Sequence, residues 1–406
     1  MTRPTTDQPR SPTASPSPLL AGVGVAVLVL STTAFFRVPL LPEIGRELSM
    51  SATQLGIITS MFAAGRLLTD LPAGRLLERL HPIALLAASA ALMVVGSLTL
   101  AVAGLPAVVY VAAFTLGISS AVTNATGMHA FSVSVPARRR GTALAVFSTA
   151  LLGGQSLGPL AAGGIAGASS WRVAEVVAGV ACAVLTLALL VLWRRGRTRD
   201  RRTDDAEATT ATAADDVVID TGPGAHRALL AVSFAMFFTL GAMSQTLIPL
   251  IGADELQLNV SAIGLALGVG GACRLAGGFV GGVLADRVSR RAALLPGLLL
   301  QAVGVALVIG PGVPWWLAGI IVMSLASWSI SVGATVLADL TPEGELGPRL
   351  GRFRFVGDVG LIAGPLVATQ LFERLGTAPT MTAVACLLVA AAAWCAVSVP
   401  ETRTRT

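Results

Sequence analysis

Five ionisable side chains fall inside long apolar stretches of this chain: Arg37, Arg66, Asp70, Glu175 and Arg274. A charge held in hydrocarbon costs roughly 2.5 kcal/mol or more, so such residues persist where they pair, exchange protons or meet a charged solute. Arg66 and Asp70 stand four residues apart on one helix face and can pair locally. Arg274 has Gly278 where that carboxylate would be, and so calls for a partner from another stretch or an anionic group of a bound solute. Arg37 sits about a turn from the end of its run, where either snorkelling to the interface or lining a cavity accounts for it. If protons are exchanged, Asp70 is the first candidate carrier, with Asp358 and His129 behind it. No His, Cys or Asp cluster has catalytic or metal spacing, so no enzyme, no metal and no cofactor is expected.

The elements that carry these residues are written in the hydropathy. The chain has 406 residues, 54% of them hydrophobic and 12% charged, with mean hydropathy +0.77. Soluble domains carry about 25% charged residues. Twelve apolar runs fall at 19–41, 52–73, 83–104, 106–129, 141–166, 172–193, 227–251, 260–282, 292–311, 313–338, 353–374 and 378–399. Each suffices to cross a hydrocarbon core of about 30 Å as a helix. Their continuity, without polar alternation, disfavours barrel strands. The first run is too long for a signal-peptide core and is expected to be retained.

All 28 basic residues are Arg, and of those outside the apolar runs only Arg46, Arg172 and Arg374 fall on the side opposite the rest. The positive-inside rule then places both termini and the central loop in the cytoplasm, in a protein of the cell membrane. The net charge of +6 is explained by topology and lipid headgroups, without a nucleic-acid partner. Cys182, Cys273, Cys386 and Cys395 lie in apolar runs and read as packing residues. The expected organisation is a disordered cytoplasmic tail over 1–18, a six-helix bundle over 19–193, a cytoplasmic linker over 194–226, a second bundle over 227–399 and a tail over 400–406.

The halves are duplicated. Arg66 with Gly74-Arg-Leu-Leu-Glu78-Arg79 recurs as Arg274 with Gly282-Val-Leu-Ala-Asp286-Arg287, both at an offset of 208 residues, and the same offset carries Glu47 onto Glu255 and Gly56 onto Gly264. Gly154-x-x-x-Gly158-Pro159 recurs as Gly360-x-x-x-Gly364-Pro365 at an offset of 206. The fold expected is an all-α membrane protein of two pseudo-symmetric six-helix bundles. Such duplication suits a transporter with its site between the halves better than a channel or a membrane enzyme.

The two charged loops resemble motif A of the major facilitator superfamily, G-x-L-a-D-R-x-G-R-[RK]. The second copy, continuing to Arg290 and Arg291, departs at Ser289, and the first departs at Glu78, His81 and Pro82. Physically, Gly74 and Gly282 would permit close helix approach, and the carboxylate and Arg would bridge to neighbours. The resemblance implies a latch: Glu78 and Asp70 toward Arg352 or Arg354, Arg79 toward Asp358, and Asp286 toward Arg139 or Arg140. Gly154, Gly158, Pro159 and Gly163 resemble motif C of the drug:proton antiporter branch, with Ala162 in place of a Gly. An acidic residue in the first run and an Arg in the fourth, common in that branch, are absent here; the fourth offers Thr123, Asn124 and Thr126. Family architecture would turn Thr32, Phe36, Arg37, Asn124, Gln245 and Trp328 toward the cavity, with Arg274 beside them. The resemblance implies alternating access by a single chain in the bilayer, with proton-coupled efflux of an amphipathic drug or secondary metabolite, or alternatively uptake of a small organic anion or nutrient.

Overall fold

The computed structural model describes residues 18–136, 139–197, 223–287, 289–342 and 345–400; for 18–19, 70–79, 195–197, 223 and 286 the description is of the backbone alone. All regular elements among the described residues are helical. The first half comprises α1 Pro18–Ala34, α2 Arg37–Glu47, α3 Ala52–Arg79, α4 Pro82–Ala101, α5 Pro106–Val133, α6 Arg140–Ala168 and α7 Trp171–Arg197. The second comprises α8 Pro223–Thr239, a π segment Leu240–Leu247, α9 Ile248–Asp254, α10 Val260–Arg287, α11 Arg290–Leu307, α12 Val313–Leu325, a 3₁₀ turn Ala326–Trp328, α13 Ser329–Asp339, α14 Leu346–Leu375 and α15 Thr377–Ser398. Eleven stretches are long and apolar enough to cross a membrane. The 28-residue α3 completes the alternation as the twelfth crossing.

Three crossings expected as single helices are broken. The run 19–41 divides at Phe35 and Phe36 and continues to Glu47. Pro39 has no N–H for the carbonyl of Phe35, and its ring crowds that carbonyl, so the turn tightens: Val38 N donates to Phe35 O at 3.2 Å instead. Pro249 likewise frees the carbonyl of Gln245, at the end of the π segment. The crossing 313–338 is interrupted by the 3₁₀ turn, where Ser327 Oγ donates to Ser324 O at 2.6 Å and Ser329 Oγ to Ala326 O at 2.9 Å.

Several helices outrun the apolar stretches: α14 starts at Leu346 and α10 reaches Arg287. These extensions are polar because they lie beyond the hydrocarbon thickness. Helices α7 and α8 take both ends of the expected linker 194–226, whose residues 198–222 lie outside the described residues, as do 1–17 and 401–406 of the tails.

Two of the departures from motif A, His81 and Ser289, are helix caps. His81 Nδ1 accepts from Ile83 N at 3.3 Å with Pro82 opening α4, and Ser289 Oγ accepts from Ala292 N at 3.0 Å at the start of α11. The repeated Gly-x-x-x-Gly-Pro does the same work in both halves. A Cβ on Gly154 would lie 2.6 Å from Leu28 O and one on Gly158 2.4 Å from Thr32 O, fixing α6 on α1; Gly360 and Gly364 meet Phe234 O and Phe238 O at 2.5 and 2.3 Å, fixing α14 on α8.

The chain's alternation sorts helix ends onto two faces. One carries Arg79, Arg140, Arg287 and the start of α14, and is here called the Arg-rich face; the other carries Glu47, Ala168, Val260 and Leu375, the far face.

Candidate functional site

The halves close on each other toward the far face. Helix α6 meets α10 where a Cβ on Gly163 would stand 2.8 Å from Gly264 Cα, and Ser261 Oγ donates to Gly163 O at 3.0 Å. Helix α3 meets α14 where Gly56 abuts Pro365 O and Ser60 Oγ donates to Ile362 O at 2.7 Å. At the rim, Glu373 accepts from Thr53 N at 2.7 Å and from Thr53 Oγ1 at 2.6 Å. Toward the Arg-rich face the first turns of α6 are mostly exposed, and Arg139, Arg140, Arg352 and Arg354 all face solvent. Across that face Arg354 Nη2 lies 3.9 Å from Met128 Sδ.

At mid-depth the broken crossings frame a cavity of about 510 Å³ counted out to its open mouth. Its apolar wall includes Phe35, Val38, Leu267 and Ile320; its polar groups are Gln155, Ser244, Gln245, Arg274 and Ser324. Among the described residues Arg274 is the one charged side chain that lines it. It reaches Ser244 Oγ at 3.4 Å while its Nε has no hydrogen-bond partner among the described residues. The π segment presents Ser244 and Gln245 together to this space, an arrangement a regular α-helix with its i to i−4 ladder would rotate away.

Beside the cavity lies a polar node that joins the halves. Arg37, 1% exposed, donates from Nη2 to Gln245 Oε1 at 2.8 Å, and its guanidinium lies 4.0 Å from the centroid of the Phe62 ring. Gln245 follows Arg37 by 208 residues, the offset of the duplication, so the bond joins equivalent positions across the pseudo-twofold axis. Thr59 Oγ1 donates to the Gln245 carbonyl at 3.4 Å, and Thr246 Oγ1 to Thr59 Oγ1 at 3.0 Å. Arg37 is therefore no snorkelling residue: α2 carries the crossing ten residues beyond it.

The other expected site residues divide by location. Thr32 spends its hydroxyl on Leu28 O at 2.8 Å within α1, under the motif C glycines. Phe36 is buried in the core, and its neighbour Phe35 faces the cavity. Trp328 packs against Gly281 and donates to Ala293 O at 3.0 Å, inside the second half and away from the cavity wall, because the 3₁₀ turn rotates it inward. Asn124 is half-buried on α5 and is not among the residues lining the cavity. Arg66 donates to Ser120 Oγ at 3.2 Å. Its expected partner Asp70, with Glu78, Arg79 and Asp286, has its side chain outside the described residues, as does the backbone-only Gly74 region. Among the described residues nothing lies within 4 Å of a Cβ built on Gly282, where close helix contact was expected; the preceding Gly281 meets Trp328 instead. Arg290 pairs with Asp339 at the end of α13, within the second half, Arg287 is exposed, and Asp358 is buried and has a partner of its own.

Residues 23–250 and 229–406 each match the family model described as Major Facilitator Superfamily. The chain belongs to the major facilitator superfamily. Its facilitator fold is matched by a solved D-xylose–proton symporter with a TM-score of 0.72 at 14% identity, over 94% of this chain and 98% of that one. The probable galactarate/D-glucarate transporter GarP of Escherichia coli K12 is 26% identical over 371 residues, 82% of this chain and 83% of its own. The chloramphenicol resistance protein of Streptomyces lividans is 28% identical over 360 residues, 85% and 87% respectively. The protein is thus a facilitator-superfamily transporter embedded in a membrane by many helices, and not an enzyme.

Proposed function

We propose that the protein is a secondary active transporter that exports a small amphipathic organic solute in exchange for protons, by alternating access across the cell membrane. The observation that supports this most is the cavity between the halves, shut toward the far face and walled by apolar side chains with a handful of polar groups. Such a lining suits an amphipathic solute better than a free sugar, whose many hydroxyls would need matching donors and acceptors. The Arg-rich face is read as cytoplasmic on the distribution of arginine, which makes the state described here open to the cytoplasm. Likeness to a chloramphenicol resistance protein agrees with export.

One observation favours a second reading. Arg274 is charged, lines the cavity and meets no lining carboxylate, and the sugar-acid transporter among the relatives points the same way: uptake of a small organic anion. Proteoliposomes with an imposed pH gradient decide between the two, using labelled chloramphenicol and D-glucarate as probes. Export predicts chloramphenicol movement against its gradient, in the direction opposite to proton flow, abolished by a protonophore. D-glucarate moving with protons, and losing that movement in Arg274→Gln, would replace export with anion uptake.

A further inference from the structure

Glu175 has no role in the site described so far, yet it is among the most costly residues in the molecule. It lies one turn into α7, is 1% exposed, and neither carboxyl oxygen has a hydrogen-bond partner among the described residues. A carboxyl group so placed either carries a proton or faces an opposite charge. The opposite charge that bears on it is Arg37 of α2, itself 1% exposed, with Nε and Nη1 unpartnered and only Nη2 engaged, on Gln245. From α4 the neighbouring polar group is the Ser97 hydroxyl; on its own helix stand Cys182, which donates to Thr33 Oγ1 at 3.3 Å, and Arg172, which pairs with Glu47 of α2 at 2.7 Å, while Arg194, Arg195 and Arg197 lie at the other end of α7 and α2 also carries Glu43 and Arg46. Helices α1 and α4 carry no ionisable side chain, and α6 carries only Arg140, at the opposite face. Arg66 of α3 also bears on Arg37 electrostatically.

Arg37 therefore answers to two acceptors of different allegiance, Gln245, which it bonds, and Glu175, whose field it feels. Glu175 belongs to its own half and Gln245 to the other. We propose that Glu175 is the group that takes up and releases the coupling proton, and that Arg37 relays its state to the far-face closure by exchanging Gln245 for Glu175. With Glu175 as the neutral acid, Arg37 donates to Gln245 Oε1, as observed, and the halves are tied together. When the O–H bond breaks and the proton leaves to water, the carboxylate draws the guanidinium to itself. Gln245 is then released, and no bond other than O–H has changed. Protonation shuts the far face and deprotonation frees it, the order that exchange of an outgoing solute for an incoming proton requires. The inference rests on the exchange reading above, but its test needs no solute.

The full chain, with its four cysteines replaced by serine and spin labels at Ser169 and Asn259, is placed in lipid nanodiscs for electron–electron distance measurements. These positions end α6 and precede α10 on the far face. The expected result is a shift from a short to a long separation as pH rises between about 5 and about 9. Glu175→Gln should lose that shift and hold the short separation throughout, while Glu175→Asp should keep it with a displaced midpoint. Gln245→Leu should populate the long separation even in acid. A pH shift in Glu175→Gln equal to that of the parent, or a parent distance that ignores pH, overturns the proposal. In either case the pH-gradient assay with chloramphenicol still judges export independently.

Discussion

Arg37 concentrates the energetic tension of the molecule, because a buried guanidinium holds a single hydrogen bond to a neutral amide in the other half. Hydrogen bonds to charged groups contribute roughly 1.5–3 kcal/mol, and leaving the charge without an acceptor costs at least that much. Gln245→Leu should therefore lower the thermal midpoint of the purified protein by an amount equivalent to about 2 kcal/mol, whereas Arg37→Leu with Gln245→Leu should recover most of the loss. The surface pair Arg172–Glu47, at 2.7 Å but with both side chains substantially exposed, gives the contrast: Glu47→Gln should cost about 1 kcal/mol or less. Scanning calorimetry of the three variants beside the parent reads both predictions; equal effects at the buried and exposed pairs would contradict them.

At the scale of elements, glycine placement separates folding from gating. Gly65 and Gly117 join α3 to α5 inside one half, where a Cβ would lie 2.2 and 2.0 Å from the carbonyls of Phe114 and Phe62. Gly163 and Gly264 join α6 to α10 between halves. Gly117→Val should lower the yield of folded protein severalfold, since backbone cannot yield as a flexible side chain does. Gly163→Val should spare folding but hold the far face apart. Oxidative cross-linking of Gly167→Cys with Ser261→Cys reports this, because a Cβ at Gly167 stands 3.2 Å from Ser261 Cβ. The cross-link should form readily in the parent and fail when Gly163→Val is added.

The twelve crossings and their two-half repeat were legible because hydrophobic length and Arg placement act locally along the chain. The breaks were less so. Pro39 and Pro249 signal them, yet uninterrupted apolar runs conceal where a helix ladder fails. Arg37 and Gln245 lie at the duplication offset, so their pairing had a trace in the sequence, but nothing there says that equivalent positions touch at the axis. Glu175 and Trp328 depend on helix rotation, which packing decides.

For the whole molecule, the proposed cycle has one cavity reached from one face at a time, with the α6–α10 and α3–α14 contacts shutting the far face in the state described. A fixed pore would need no such exchange. The most direct test places a single reporter cysteine, Gln155→Cys, on the cavity wall of the chain whose four native cysteines are replaced by serine. Its reaction with a membrane-impermeant maleimide is then followed from each side of oriented proteoliposomes. The far face is either free or cross-linked beforehand through Gly167→Cys with Ser261→Cys. Alternating access predicts labelling from both sides when the far face is free, and from the Arg-rich side alone once it is cross-linked. Labelling from the far side that survives the cross-link would contradict the account.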